Sequence, residues 1–232
     1  MHGRAGSGRS PVDEGAGKTG GGRGLMLDTA FLITSFVTLF VIIDPIGLMP
    51  VFLALTQGMS SKQRRAIAIR ASVTGIGILA VFALFGESVL GFIGISMAAF
   101  RVAGGILLFL TALDMLFERR TARRQHQGDE IAPEDDPSVF PMAIPLIAGP
   151  GSIATVILLT GQHPGIEGFA SVMAIVVAVI ALMLLMFAIS GMVERVLGPV
   201  GINVATRLLG MLLAALSVQF VLEGLSAFGF AN

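Results

Sequence analysis

Residues 29–55 read TAFLITSFVTLFVIIDPIGLMPVFLAL, an unbroken apolar run except at Asp44-Pro45-Ile46-Gly47. Roughly 20 mostly apolar residues suffice to cross a bilayer as a helix, so the run is long enough to span and is interrupted near its middle. Hydrocarbon offers the backbone no water. A proline that removes a helical hydrogen bond, set beside a carboxylate, is tolerated there only against protein or a wet cavity. A second break, Gly149-Pro150-Gly151-Ser152, interrupts a later apolar run. Two interrupted segments in corresponding positions of two halves point to a binding site near the bilayer midplane.

The rest of the chain agrees with a membrane setting. Of its 232 residues 54% are apolar and 13% charged, against about 25% charged in a typical soluble domain. The formal net charge is zero, and long segments carry no charge at all, which argues against nucleic acid as a partner. There is no cysteine, so disulfides, thiolate metal sites and cysteine nucleophiles are excluded. Tryptophan and tyrosine are also absent, leaving phenylalanine, glycine and basic residues to mark the interfaces.

Six runs meet the length for a spanning helix: 29–55, 66–86, 96–117, 139–161, 168–192 and 204–228. The first and fourth are the broken ones. Pro141, Pro145 and Pro150 in the fourth are too many for one straight helix, and predict extended backbone leading into a half-helix. Residues 1–25, rich in Gly, Arg and Ser, are expected to be a disordered tail, with Met26 a candidate natural start. Residues 26–117 then form a first three-helix unit, 118–138 a charged linker on the cytoplasmic side and 139–232 a second unit. Lys62, Arg64 and Arg65, then Arg119, Arg120, Arg123 and Arg124, then Arg195, fall in loops on one face. The positive-inside rule makes that face cytoplasmic and both termini external.

Glu87-Ser88-Val89-Leu90-Gly91-Phe92-Ile93-Gly94-Ile95 and Glu194-Arg195-Val196-Leu197-Gly198-Pro199-Val200-Gly201-Ile202 agree at six of nine positions. Each leads to an arginine, Arg101 or Arg207, and three residues later to Gly104 or Gly210. Asp44-Pro45 aligns with Gly149-Pro150 at nearly the same offset. Three is odd, so the second unit must enter the membrane upside down relative to the first. The expected fold is all-α, six transmembrane helices in two inverted three-helix repeats with helices 1 and 4 broken. Glu87 with Arg101, and Glu194 with Arg207, are candidate gates or interfacial ion pairs, one at each membrane face.

Proline favours the first position of a helix, and Asp or Gly before it caps well. Each break thus reads as the start of a half-helix, with its unpaired N–H groups and partial positive charge. Asp44 can satisfy those groups itself; Gly149 has no side chain and leaves them open, with the Ser152 hydroxyl beside them. The pair suits a zwitterion, its ammonium near Asp44 and its carboxylate at the N–H groups of Gly151 and Ser152. A second reading has Asp44 bind a coupling proton or sodium ion, and a third makes it only a cap on a kink. The candidate solute or ion site is Asp44, Pro45, Gly47, Gly149, Pro150, Gly151 and Ser152. Intramembrane enzymes need a nucleophile with a base, paired carboxylates or metal ligands at one depth. His2, His126 and His163 all lie outside the runs, so no catalysis, metal or cofactor is expected.

The motifs Asp44-Pro45-Ile46-Gly47 with Pro50 and Phe52, and Pro141-x3-Pro145-Leu146-x2-Gly149-Pro150-Gly151-Ser152-Ile153, resemble those of the MarC family of bacterial inner-membrane proteins. The likeness runs from residue 26 to about 228. It implies a multi-pass plasma-membrane protein of six spans, and related members are classed as neutral amino-acid transporters. The expected function is secondary transport of a small solute, such as a neutral amino acid, by alternating access. The alternatives are export of drugs or metabolites, and a structural or regulatory membrane protein that moves nothing.

Overall fold

The computed structural model describes residues 20–117, 119 and 136–229, with side chains from residue 29 onward except that of residue 194. The described residues are helical, without a strand: α1 (Gly20–Ile43), α2 (Pro45–Leu55), α3 (Ser61–Ile93), α4 (Met97–Leu116), a loosely wound α5 (Ser138–Ile147), α6 (Pro150–Gln162), α7 (Ile166–Ala188) and α8 (Ser190–Ala227). Five stretches are long and apolar enough to cross a membrane, the first of them Thr29–Leu55, and α5 with α6, bent by 55°, makes a sixth if counted as one span. The number and order of apolar runs match the expectation. The tail needs a correction: α1 begins at Gly20, so residues 20–25, expected to be disordered, are helical. Once a spanning helix exists, adding a turn to its end costs far less than nucleating one. Residues 1–19, and the linker positions 118 and 120–135, lie outside the described residues.

The extended lead-in is present in α5. Phe140 and Ile144 have extended backbone, each followed by a proline, and the surviving bonds are wide ones, Met142 N–H to the Pro137 carbonyl and Ala148 N–H to the Ala143 carbonyl. Prolines 141 and 145 have no N–H to give and push the residue before them out of the helical region. The segment is pinned at its start, where the Arg70 guanidinium pairs with Asp136 at 2.9 Å and the Ser138 N–H donates to the same carboxylate. Burial works against the Asp136 charge, but Ser138 and Arg70 together outweigh it and hold its carboxyl below the usual range.

Helix packing relies on small residues. Gly105 meets Ser217 and Val221, Gly210 meets Ala112 and Met115, and Gly224 meets Ala98 and Val102, which sets α4 antiparallel to α8. A Cβ on Gly105 would stand 2.7 Å from Val221 Cγ2, so no larger residue fits without parting the helices. Such close approach drives helix association in lipid, where burying apolar surface gains nothing. The first span is 67% buried over its most apolar stretch, against 17% for that of α3. The first span is therefore central, α6 is buried beside it along most of its length, and the other helices turn exposed Val, Leu, Ile and Phe to lipid.

The repeated nine-residue motif adopts two backbones. In the first half α3 runs through Gly91 and ends at Gly94, φ 83°. In the second half the chain turns at Gly198, φ 62°, and restarts at Pro199 within α8. The difference follows from Phe92 against Pro199. Proline cannot continue a helix from its preceding residue but begins one well.

Candidate functional site

Asp44 is fully buried and sits in the left-handed region, φ 56° and ψ 63°. Asp tolerates that conformation because its short side chain bonds locally. Its N–H still reaches the Phe40 carbonyl and its carbonyl accepts from Leu48 N–H, so α1 and α2 are joined by backbone bonds across the break. The carboxylate accepts from the Gly47 N–H at 3.0 Å, the N-cap expected. Gly47 is required there, because a Cβ on it would fall on the Asp44 carboxylate. Pro45 and Gly47 are buried too.

The second break is built differently. The Ser152 hydroxyl donates to the Ile147 carbonyl at 2.7 Å, lies 3.0 Å from the Gly149 carbonyl and accepts the Gly149 N–H at 3.0 Å. Gly149's own N–H is thereby taken and the Ser152 proton committed to backbone. A serine at the third helical position can turn back to the residue that starts the helix, as the longer Glu of a capping box does. The N–H groups of Gly151 and Ser152 meet no acceptor among the described hydrogen bonds. Pro150 is exposed and Gly151 half-buried.

The fold brings the two breaks together. A Cβ on Gly151 would stand 3.3 Å from Ile42 Cγ2 and 3.4 Å from Leu108 Cδ2, so the start of α6 abuts the end of α1 two residues before Asp44. Val41, Ile42, Leu108, Leu158 and Leu213 close round the junction. In this conformation Asp44 and Ser152 are buried, while Pro150 stays exposed.

The candidate gates fare differently. Glu87 and Arg101 form no ion pair among the described residues, and the helices that carry them, α3 and α4, hardly touch. Glu87 lines a cavity of about 350 Å³ with Thr160, Pro164 and Ile166. Arg101 lies one turn inward of Met97, which packs on Gly161 of α6, and its Nε is buried without a hydrogen bond. Glu194's side chain lies outside the described residues, so its pairing with Arg207 is not described. No group of three or more His, Asp or Glu side chains suited to a metal occurs among the described residues.

A helical bundle with apolar residues all round, small-residue contacts and broken spans whose breaks meet inside the protein is a polytopic integral membrane protein. Residues 29–228 match the family described as MarC family integral membrane protein, and the chain belongs to that family. It is 40% identical to the UPF0056 membrane protein YvbG of Bacillus subtilis over 84% of this chain and 94% of that one. A UPF0056 membrane protein of Methanocaldococcus jannaschii is 36% identical over 86% of this chain and 98% of its own length; one of Aquifex aeolicus is 37% identical over 83% and 91%. No solved structure matches.

Proposed function

We propose that the chain is a secondary transporter of a small zwitterionic solute, a neutral amino acid by preference, working by alternating access in the bacterial inner membrane. The observation that carries this reading is the meeting of the two breaks, Ile42 against Gly151. It sets a buried carboxylate near a half-helix N-terminus with free N–H groups. An ammonium beside Asp44 and a carboxylate at the N–H groups of Gly151 and Ser152 would match the opposite charges of the two ends, with a proton or sodium ion as the coupling partner.

The inverted repeat belongs to this proposal. Exchanging the halves carries α1 on α7 into α5 on α3, α2 on α8 into α6 on α4, and α2 on α7 into α6 on α3; α3 with α7 and α4 with α8 map onto themselves. Four pairings lack a strong mate: α1 with α6, α1 with α8, α6 with α7 and α7 with α8. Basic loops place the α2–α3 and α7–α8 connections in the cytoplasm and the α6–α7 connection outside.

The hydrogen bond from Gly47 to Asp44 favours a competing reading in which Asp44 is a structural cap alone. Flux separates the two. In proteoliposomes given a panel of labelled amino acids, with and without an imposed proton gradient, Asp44→Asn keeps the cap oxygen and is expected to insert normally yet lose coupled flux. Unchanged flux would remove Asp44 from the site. An exporter of drugs or metabolites would instead show flux of a bulky apolar compound and none of amino acids.

A further inference from the structure

A cavity of about 460 Å³ lies at the end of the bundle that carries the α6–α7 connection, lined by Phe31 of α1, Gln162 and His163 at the end of α6, and Glu167 and Ser171 of α7. Its described lining holds a carboxylate and no Lys or Arg. Pro164 also borders the neighbouring cavity that contains Glu87. The site at the breaks lies about 20 Å deeper, thirteen residues of helix from Phe31 to Asp44 at 1.5 Å each.

Two contacts fix the register between them. The Phe31 ring meets the His163 ring at 4.3 Å between centroids, and Ile42 meets Gly151, so α1 runs antiparallel to α6 from the cavity to the breaks. On α1, positions 31, 35, 38 and 42 share a face; on α6, positions 151, 155, 158 and 162 do the same. Ser35, Thr38 and Thr155 therefore fall along one seam between Phe31–His163 and Ile42–Gly151. All three are buried. Thr38 donates into its own helix at the Thr34 carbonyl, Thr155 at the Gly151 carbonyl, which leaves their oxygens as acceptors toward the seam. The Ser35 hydroxyl has no partner, and a buried hydroxyl left unpaired in a membrane protein is costly.

We propose that this cavity is the outer entrance for a solute bearing a primary ammonium, and that the α1–α6 seam is its closed conduit to the breaks. The proposal rests on the transport reading and names its outward route. Glu167 with the Phe31 face draws the cation in; Ser35, Thr38, Thr155 and finally Asp44 supply acceptors down the seam.

The absence of native cysteine makes the route directly testable by single-cysteine labelling in proteoliposomes. Ser171→Cys probes the entrance, Ser35→Cys and Thr155→Cys the seam, and Ser217→Cys the equally buried α4–α8 contact. Membrane-impermeant cationic and anionic methanethiosulfonates are the probes, in vesicles of phosphatidylcholine and phosphatidylglycerol. Ser171→Cys is expected to label readily, with a cation-to-anion rate ratio that falls roughly tenfold when Glu167→Gln is added, the size expected from one carboxylate a few ångströms away in near-aqueous surroundings. Ser35→Cys and Thr155→Cys are expected to label measurably faster than Ser217→Cys, and soluble ethanolamine to slow labelling at Ser171→Cys beyond the effect of equal potassium chloride. Seam positions no faster than Ser217→Cys, or a ratio indifferent to Glu167, would overturn the proposal. So would protection by phosphatidylethanolamine in the bilayer and none by soluble ethanolamine, which makes the cavity a lipid headgroup site. None of these readouts depends on flux, so loss of the Asp44 assignment and loss of the conduit are separate results.

Discussion

The two breaks begin from the same device, a proline opening a half-helix, and reach opposite local solutions. At Asp44 the chain stays continuous: one left-handed residue, backbone bonds across the join and a carboxylate that caps the next helix. At Gly149 the chain bends by 55° after an extended, proline-spaced lead-in, and a serine hydroxyl ties three backbone groups together. A charged cap answers the N-terminus of α2 from within. A neutral one leaves the Gly151 and Ser152 N–H groups without an acceptor among the described hydrogen bonds. What differs between the two breaks is therefore the charge each brings to their meeting point.

The largest structural effect is expected at the first break. Gly47→Ala puts a methyl onto the Asp44 carboxylate, losing the cap and overpacking a closed site, at a cost of about 3 kcal/mol. A thermal unfolding midpoint in detergent unchanged from the parent would mean that α2 does not depend on this cap. At the second break, Ser152→Ala strands the buried Gly149 N–H and should cost about 1 to 3 kcal/mol. If Ser152→Ala proves the more damaging of the two, the hydroxyl relay and not the carboxylate cap is the principal joint.

The smallest effect concerns the lead-in to the second break. Because Asp136 is held below its ordinary value of 3.8, its contribution is present above that value and is lost as pH falls through the depressed one. Both partners are about half exposed, so the loss should be under ~1 kcal/mol. Arg70→Gln should abolish most of the stability change between pH 5 and pH 2 assigned to this pair, measured as the difference in unfolding midpoint; an unaltered pH profile would release the lead-in from Arg70.

Much of this was legible beforehand. Apolar run length reports spanning helices directly, since lipid forces every backbone group to be satisfied within the segment. Asp and Gly before proline report half-helix starts, and the proline spacing in residues 139–150 reports extended backbone. Similar sequence separation does not by itself pair Glu87 with Arg101, because their helices α3 and α4 hardly touch. The Ser152 relay had a signal that was underused: serine three residues after a helix-starting position is at capping distance. The Arg70–Asp136 pin joins residues far apart in sequence and left no local trace.

Sequence by itself determined the solvent of this protein, its helices, their breaks and the chemical asymmetry between those breaks, because each depends on residues close together along the chain. Only the tertiary structure decided that Ile42 touches Gly151, that the first span and α6 lie at the centre, and that Ser35, Thr38 and Thr155 share one seam beneath Glu167. Those relations depend on which glycine faces admit which neighbours. In lipid, steric fit sets helix partners where the hydrophobic effect cannot, and fit is a property of surfaces assembled in space.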